Sequence, residues 1–128
     1  MSELKKILYA EDEPDIQAVA KLALETIGGF EIMLCDSGLD ALKVVDDFAP
    51  DLILLDVMMP GLDGPETLGK LREMQEQKDT PVIFLTAKVM ASEVARFKEA
   101  GAIDVIAKPF DPMTLTDQVR TAWENSRA

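Results

Sequence analysis

The sequence contains no histidine and a single cysteine, Cys35. Without histidine there is no Ser-His-Asp or Cys-His nucleophile system and no His-ligated zinc. One cysteine allows neither a disulfide framework nor a C-x-x-C redox pair, and Cys35 reads as a small buried apolar residue. Basic residues are scarce as well: 13 Lys and Arg stand against 24 Asp and Glu, a net charge of −11. That sign repels nucleic-acid phosphates and anionic membrane surfaces alike, and Lys5-Lys6 is the only adjacent basic pair. Long hydrophobic runs are missing too. The longest have four residues, far short of a signal peptide or a membrane span, so the chain reads as cytoplasmic.

What is present is enough for one domain. At 128 residues the chain has the size of a single unit, 1–128 with a core over about 5–124, and it can bury a core without covalent staples. Four solid apolar runs, Ile7–Ala10, Ile32–Cys35, Leu52–Leu55 and Val82–Leu85, suit strands covered on both faces; Ala102–Ala107, broken by Asp104, is a fifth.

Between the runs the period becomes helical. Ile16, Val19, Ala20, Ala23 and Ile27 form one stripe, and Ala41, Leu42, Val45 and Phe48 a second. Leu68, Leu71 and Met74 form a third, Met90, Val94 and Phe97 a fourth, and Leu115, Val119 and Ala122 a fifth. Proline at 14, 65 and 112 is expected as the first helical residue, and Ser37 with Asp40 resembles a capping box. Gly28-Gly29 and Gly101 are stop signals. Strict alternation gives (βα)5, an α/β doubly wound parallel five-stranded sheet with helices on both faces.

All strands of such a sheet end along one edge, where ligands bind. Those ends carry Glu11, Asp12 and Glu13 after the first strand, Asp56 after the third, Thr86 after the fourth and Lys108-Pro109 after the fifth. Crowded carboxylates need a cation, and an all-oxygen set selects a hard one, Mg2+ before Ca2+. A hydrated Mg2+ beside a lysine suits a phosphoryl group, and an aspartate can serve as its nucleophile. Singly, each residue also has a structural explanation: acids favour a helix N-terminus, and most lysines are solvated. Asp56, flanked by apolar residues on both sides, is the hardest to explain as surface.

The stretches Ile7–Pro14, Asp51–Gly61 through Gly64, Pro81–Ala87 and Ala107–Phe110 resemble, in order and over essentially the whole chain, the receiver domain of bacterial two-component response regulators. The resemblance implies strand order 2-1-3-4-5 and a phosphorylation-dependent signalling module. Asp56 would accept a phosphoryl group from a sensor histidine kinase or histidine phosphotransfer protein. Glu11, Asp12, Asp56 and the Met58 backbone carbonyl would hold Mg2+, with Mn2+ as an alternative, Glu11 acting through water. Lys108, followed by a cis proline, would pair with Asp56 and then with the phosphate, and Thr86 would move as the switch. A downstream target protein would read the face made by the fourth helix, fifth strand and fifth helix, with Met90, Val94, Val105 and Trp123 as contacts. The module would be a monomer or weak dimer that turns over no external substrate.

Two departures from the family pattern stand out. The aromatic usual three residues before the lysine is Val105, which points output coupling toward the backbone of Thr86–Met90 and the fourth helix. The lifetime-tuning positions are Met58 and Lys88; neither activates water, so the phosphoryl group is expected to be long-lived. Met58 also stands where a haloacid-dehalogenase-type phosphohydrolase needs its second aspartate. Glu11-Asp12-Glu13 would repel the phosphate of a flavodoxin-like FMN site. A degenerate receiver that binds without phosphorylation, and a fragment of a longer regulator, are the remaining alternatives.

Overall fold

The computed structural model describes residues 3–127; Met1, Ser2 and Ala128, the ends of the expected 1–128 unit, lie outside them. The four solid runs lie within β1 (Lys6–Ala10), β2 (Glu31–Cys35), β3 (Leu52–Asp56) and β4 (Val82–Thr86), while only the part of the fifth from Asp104 onward forms β5 (Asp104–Ala107). Between them run α1 (Pro14–Leu22), α2 (Gly38–Phe48), α3 (Gly64–Glu73) and α4 (Ala91–Glu99), with α5 (Pro112–Ser126) last. The strands form one sheet in the order β2-β1-β3-β4-β5, with every neighbouring pair parallel. No helix among the described residues is long and apolar enough to cross a membrane.

Strand parity divides the core in two. Ile7, Tyr9, Leu52, Leu54, Ile83, Leu85 and Ile106 pack on one face under α1 and α5. Leu8, Ala10, Ile53, Leu55, Val82 and Phe84 pack on the other under α2, α3 and α4. The central strands β3 and β4 are buried throughout, whereas β2, at the sheet edge, is only half-buried. β2 still packs on both faces, Ile32 and Leu34 against one half of the core and Met33 and Cys35 against the other; its partial burial, like that of β5, comes from its place at the sheet edge.

The first stripe is also displaced. Val19 and Ile27 are 43% and 49% exposed, while Leu24 is fully buried. A π-helical turn at Ala23–Ile27 follows α1 and widens the winding there, which carries Ile27 off the stripe that Ala20, Ala23 and Leu24 still follow. Thr116 of α5 donates its hydroxyl to the Ala23 carbonyl in that turn at 3.3 Å. Met90 likewise leaves the fourth stripe: it is the N-cap of α4 and points to solvent.

Helix starts follow the expected signals with one shift. Pro14 and Pro112 open α1 and α5, but α3 opens at Gly64. Asp63 takes the N-cap by accepting from the Glu66 N–H at 2.8 Å while Glu66 accepts from the Asp63 N–H at 3.1 Å. Ser37 caps α2 by accepting from the Asp40 N–H. A glycine is required at 64 because α3 starts against the exit of β3. A Cβ there would lie 2.8 Å from the Asp56 carbonyl oxygen and 2.9 Å from the Val57 Cα.

Gly64→Ala is therefore expected to destabilise the fold by ~1–3 kcal/mol, because only backbone can yield. Gly69→Ala, in the same helix with nothing within 4 Å of the new Cβ, is expected to stabilise it by ~0.5–1 kcal/mol. Urea titrations of the two variants check both signs.

Candidate functional site

β1 is flanked by β2 on one side and β3 on the other, so the connections leaving the ends of β1 and β3 diverge and leave a crevice between them. Glu11 extends the β1 ladder, its N–H donating to the Cys35 carbonyl at 3.0 Å. Asp56 is the last residue of β3, Thr86 the last of β4, and Lys108 continues β5 with its N–H on the Thr86 carbonyl at 2.9 Å. The ladder thus brings together residues far apart in sequence. Carboxylate oxygens of Glu11, Asp12 and Asp56 all lie within 4.8 Å of one another.

Glu11 and Asp56 are almost wholly withdrawn from water, with 0% and 3% exposure. The Lys108 ammonium reaches both: Nζ lies 2.9 Å from Glu11 Oε1 and 3.1 Å from Asp56 Oδ2. The Lys108-Pro109 peptide bond is cis. Burial raises the Glu11 pKa, but hydrogen bonds with Lys108 and Asp56 outweigh it and hold the group below the usual glutamate range. Burial, followed by the hydrogen bond and charge of Glu11, pushes Asp56 up to about 6 against the pull of Lys108. Burial opposes the charge on Lys108, yet its two carboxylate partners keep its pKa raised. Two acids share one lysine, so the site has unmet negative charge, and a divalent cation fits it.

A recess of about 250 Å³ opens over Asp56, lined by Glu13, Met58, Thr86, Ala87, Lys88 and Lys108. Thr86 is buried, with its hydroxyl accepting from the Lys88 N–H at 3.1 Å. The Met58 N–H reaches Asp56 Oδ1 at 3.4 Å, while its side chain is 69% exposed at the rim. Val105 is half-buried against the α2–α4 side of the core. Trp123 is a correction: its indole is buried in the core beneath α1 and α5, so it is not a surface contact.

Two residues at the site escaped the sequence reading. The Tyr9 hydroxyl donates to Glu11 Oε1 at 3.1 Å, and the Gln17 side-chain amide bonds the Glu11 carbonyl and Asp36 Oδ1. Tyr9 is concealed inside an apolar run. The signal that finds it is parity, since residues two apart on a strand share a face.

The chain is similar to known proteins over nearly its whole length. The family model described as the response regulator receiver domain matches residues 7–120. The transcriptional regulatory protein CseB of Streptomyces avermitilis is 38% identical over 120 residues, covering 94% of this chain and 49% of its own. The alkaline phosphatase synthesis transcriptional regulatory protein PhoP of Bacillus subtilis is 37% identical, covering 95% and 50%. The chain thus spans about half the length of the curated relatives it matches. The chemotaxis response regulator CheY4 of Vibrio cholerae superposes with a TM-score of 0.86 at 28% identity, over 94% of this chain and 99% of its own.

The raised Asp56 pKa has a consequence for stability. A folded-state pKa of about 6 against 3.8 in its absence means the folded chain binds the extra proton, so stability is lost as pH rises from 4 through 6. In chelator at pH 7.5, Asp56→Asn is expected to be more stable than the parent by ~1–3 kcal/mol. The gap should shrink toward pH 4. A gap that does not change with pH contradicts the assignment.

Proposed function

The chain belongs to the response regulator receiver domains of two-component signalling, and from that membership we propose that Asp56 is a phosphoacceptor serving as the input of a signalling switch. The observation that carries the reading is Lys108, which pairs at the sheet edge both with Glu11, 97 residues away in sequence, and with Asp56.

In the proposed reaction an Asp56 carboxylate oxygen attacks the phosphorus of a phosphohistidine on a partner kinase or phosphotransfer protein. The P–N bond breaks, and the electron pair leaves on the imidazole, which takes a proton. Glu11, Asp12, Asp56 and the Met58 carbonyl are the groups that would hold Mg2+, or Mn2+ in its place. When bound, the ion supplies neutralisation of the charge on the phosphoryl oxygens. Lys108 transfers its ammonium from Asp56 to a phosphoryl oxygen, and Thr86 turns its hydroxyl toward another. The donor is external because the chain has no histidine. On this reading one phosphoryl group is held and lost, no small substrate is turned over, and the module works in the cytoplasm as a monomer or weak dimer, as the 1–128 unit itself or as the receiver part of a longer regulator.

Output follows from β4. Phe84 and Thr86 share a strand face, and Phe97 of α4 sits edge-to-face on Phe84 with ring centroids 5.2 Å apart. Phe97 is the only buried residue of α4, and the helix has no side-chain N-cap. With Val105 in the aromatic position, movement of Thr86 is therefore read through the 86–90 backbone and the seating of α4, on the face formed with β5 and α5 that a target protein contacts.

Incubation with Mg2+ and a small phosphodonor is expected to add one phosphate by intact mass, absent in Asp56→Asn and abolished by chelator. The adduct should decay slowly, and several-fold faster in Met58→Asn or Lys88→Glu, since each supplies a group able to orient water. No adduct on the parent, or identical decay in all three proteins, contradicts the reading. On phosphorylation, amide NMR shifts should concentrate in residues 86–97; their absence there removes the proposed output route.

A further inference from the structure

Glu11 is held by three donors, two from its own segment and one from beyond β5. Oε1 accepts from the Tyr9 hydroxyl at 3.1 Å and from Lys108 Nζ at 2.9 Å, and Oε2 accepts from the Glu13 N–H at 3.2 Å. A carboxylate oxygen offers about two acceptor positions. Oε1 is therefore filled, which leaves Oε2, beyond its bond from Glu13, as the oxygen to serve the space shared with Asp12 and Asp56, the contact with Asp56 included.

Tyr9 is fully buried in the core under α1 and α5, where a phenyl ring would pack as well. Its hydroxyl gains nothing from that core, and its one bond goes to Glu11. The phenol is the donor in that bond, because an ionised carboxylate oxygen can only accept. Since Tyr9 and Glu11 lie two residues apart on one face, the contact runs along the strand and rests on the most rigid part of the fold. Lys108 cannot hold Glu11 alone, because it also serves Asp56.

We propose that Tyr9 is a positioning residue, whose hydroxyl fixes the Glu11 carboxylate with Oε2 turned to the acid cluster and thereby sets its affinity for a divalent cation. The proposal rests on the receiver reading above and deepens it. Groups that orient a metal ligand from behind typically carry a large share of its affinity. Without the hydroxyl, Oε1 has an open position, the carboxylate can rotate, and Lys108 follows it.

Calorimetric Mg2+ titration of the full chain tests this directly. Tyr9→Phe is expected to raise the dissociation constant roughly tenfold, while phosphoryl uptake at saturating Mg2+ stays near that of the parent. In a Glu11→Gln background the same change should have no further effect. Val119→Ala, which loosens the same core away from Glu11, should leave the Mg2+ midpoint in place. Unchanged or tighter Mg2+ binding by Tyr9→Phe overturns the proposal while leaving the receiver reading intact. So does an equal loss in the Glu11→Gln background. A parent chain that binds no Mg2+ overturns both.

Discussion

Two carboxylates withdrawn from water share one ammonium, and the rest of the site is arranged around that imbalance. Glu11 and Asp56 both contact Lys108, so even with Lys108 fully charged one negative charge is left over, and Asp12 adds another at the mouth. Burying an unpaired charge is costly. The cost is met here by hydrogen bonds from Tyr9 and the Glu13 backbone and by a raised Asp56 pKa. It also gives the site its chemistry. A place that is short of positive charge attracts a cation, and a cation held among oxygens attracts the oxygens of a phosphoryl group.

The fold exists to hold those groups at that spacing. Parallel strands place the ends of β1, β3, β4 and β5 side by side, and the ladder hydrogen bonds at Glu11, Val57 and Lys108 extend the sheet just beyond its regular strands. Gly64 lets α3 begin in contact with the backbone of Asp56 and Val57, so the loop leaving Asp56 is packed from below. On the opposite side Phe97 is the one buried residue of α4. A rigid input site beside a lightly held helix is the mechanical requirement for a switch.

Much of this was legible in the residues. The solid runs marked every strand, and Asp56, flanked by apolar residues, was recognisable as a buried acid before any geometry was known. Three things were not legible, each for a physical reason. The π-helical turn after α1 carries Ile27 outward, and no periodicity of 3.6 anticipates a five-residue winding. Half-burial of the edge strands β2 and β5 depends on strand order, which composition does not contain. Tyr9 was read as one more core residue because its ring is apolar, although its hydroxyl ends on a site carboxylate. Trp123 failed in the opposite sense: a large residue near the end of α5 looked available for contact, but its indole completes the core.

The most direct measurement is a crystal structure of the chain with Mg2+ and beryllofluoride, a mimic of the phosphoryl group. The account predicts beryllium on an Asp56 oxygen, the metal about 2.0–2.1 Å from carboxylate oxygens of Asp12 and Asp56, and Lys108 turned from Asp56 to a fluoride. An Asp56 left bare, with Lys108 still bridging it to Glu11, would contradict the account at its centre.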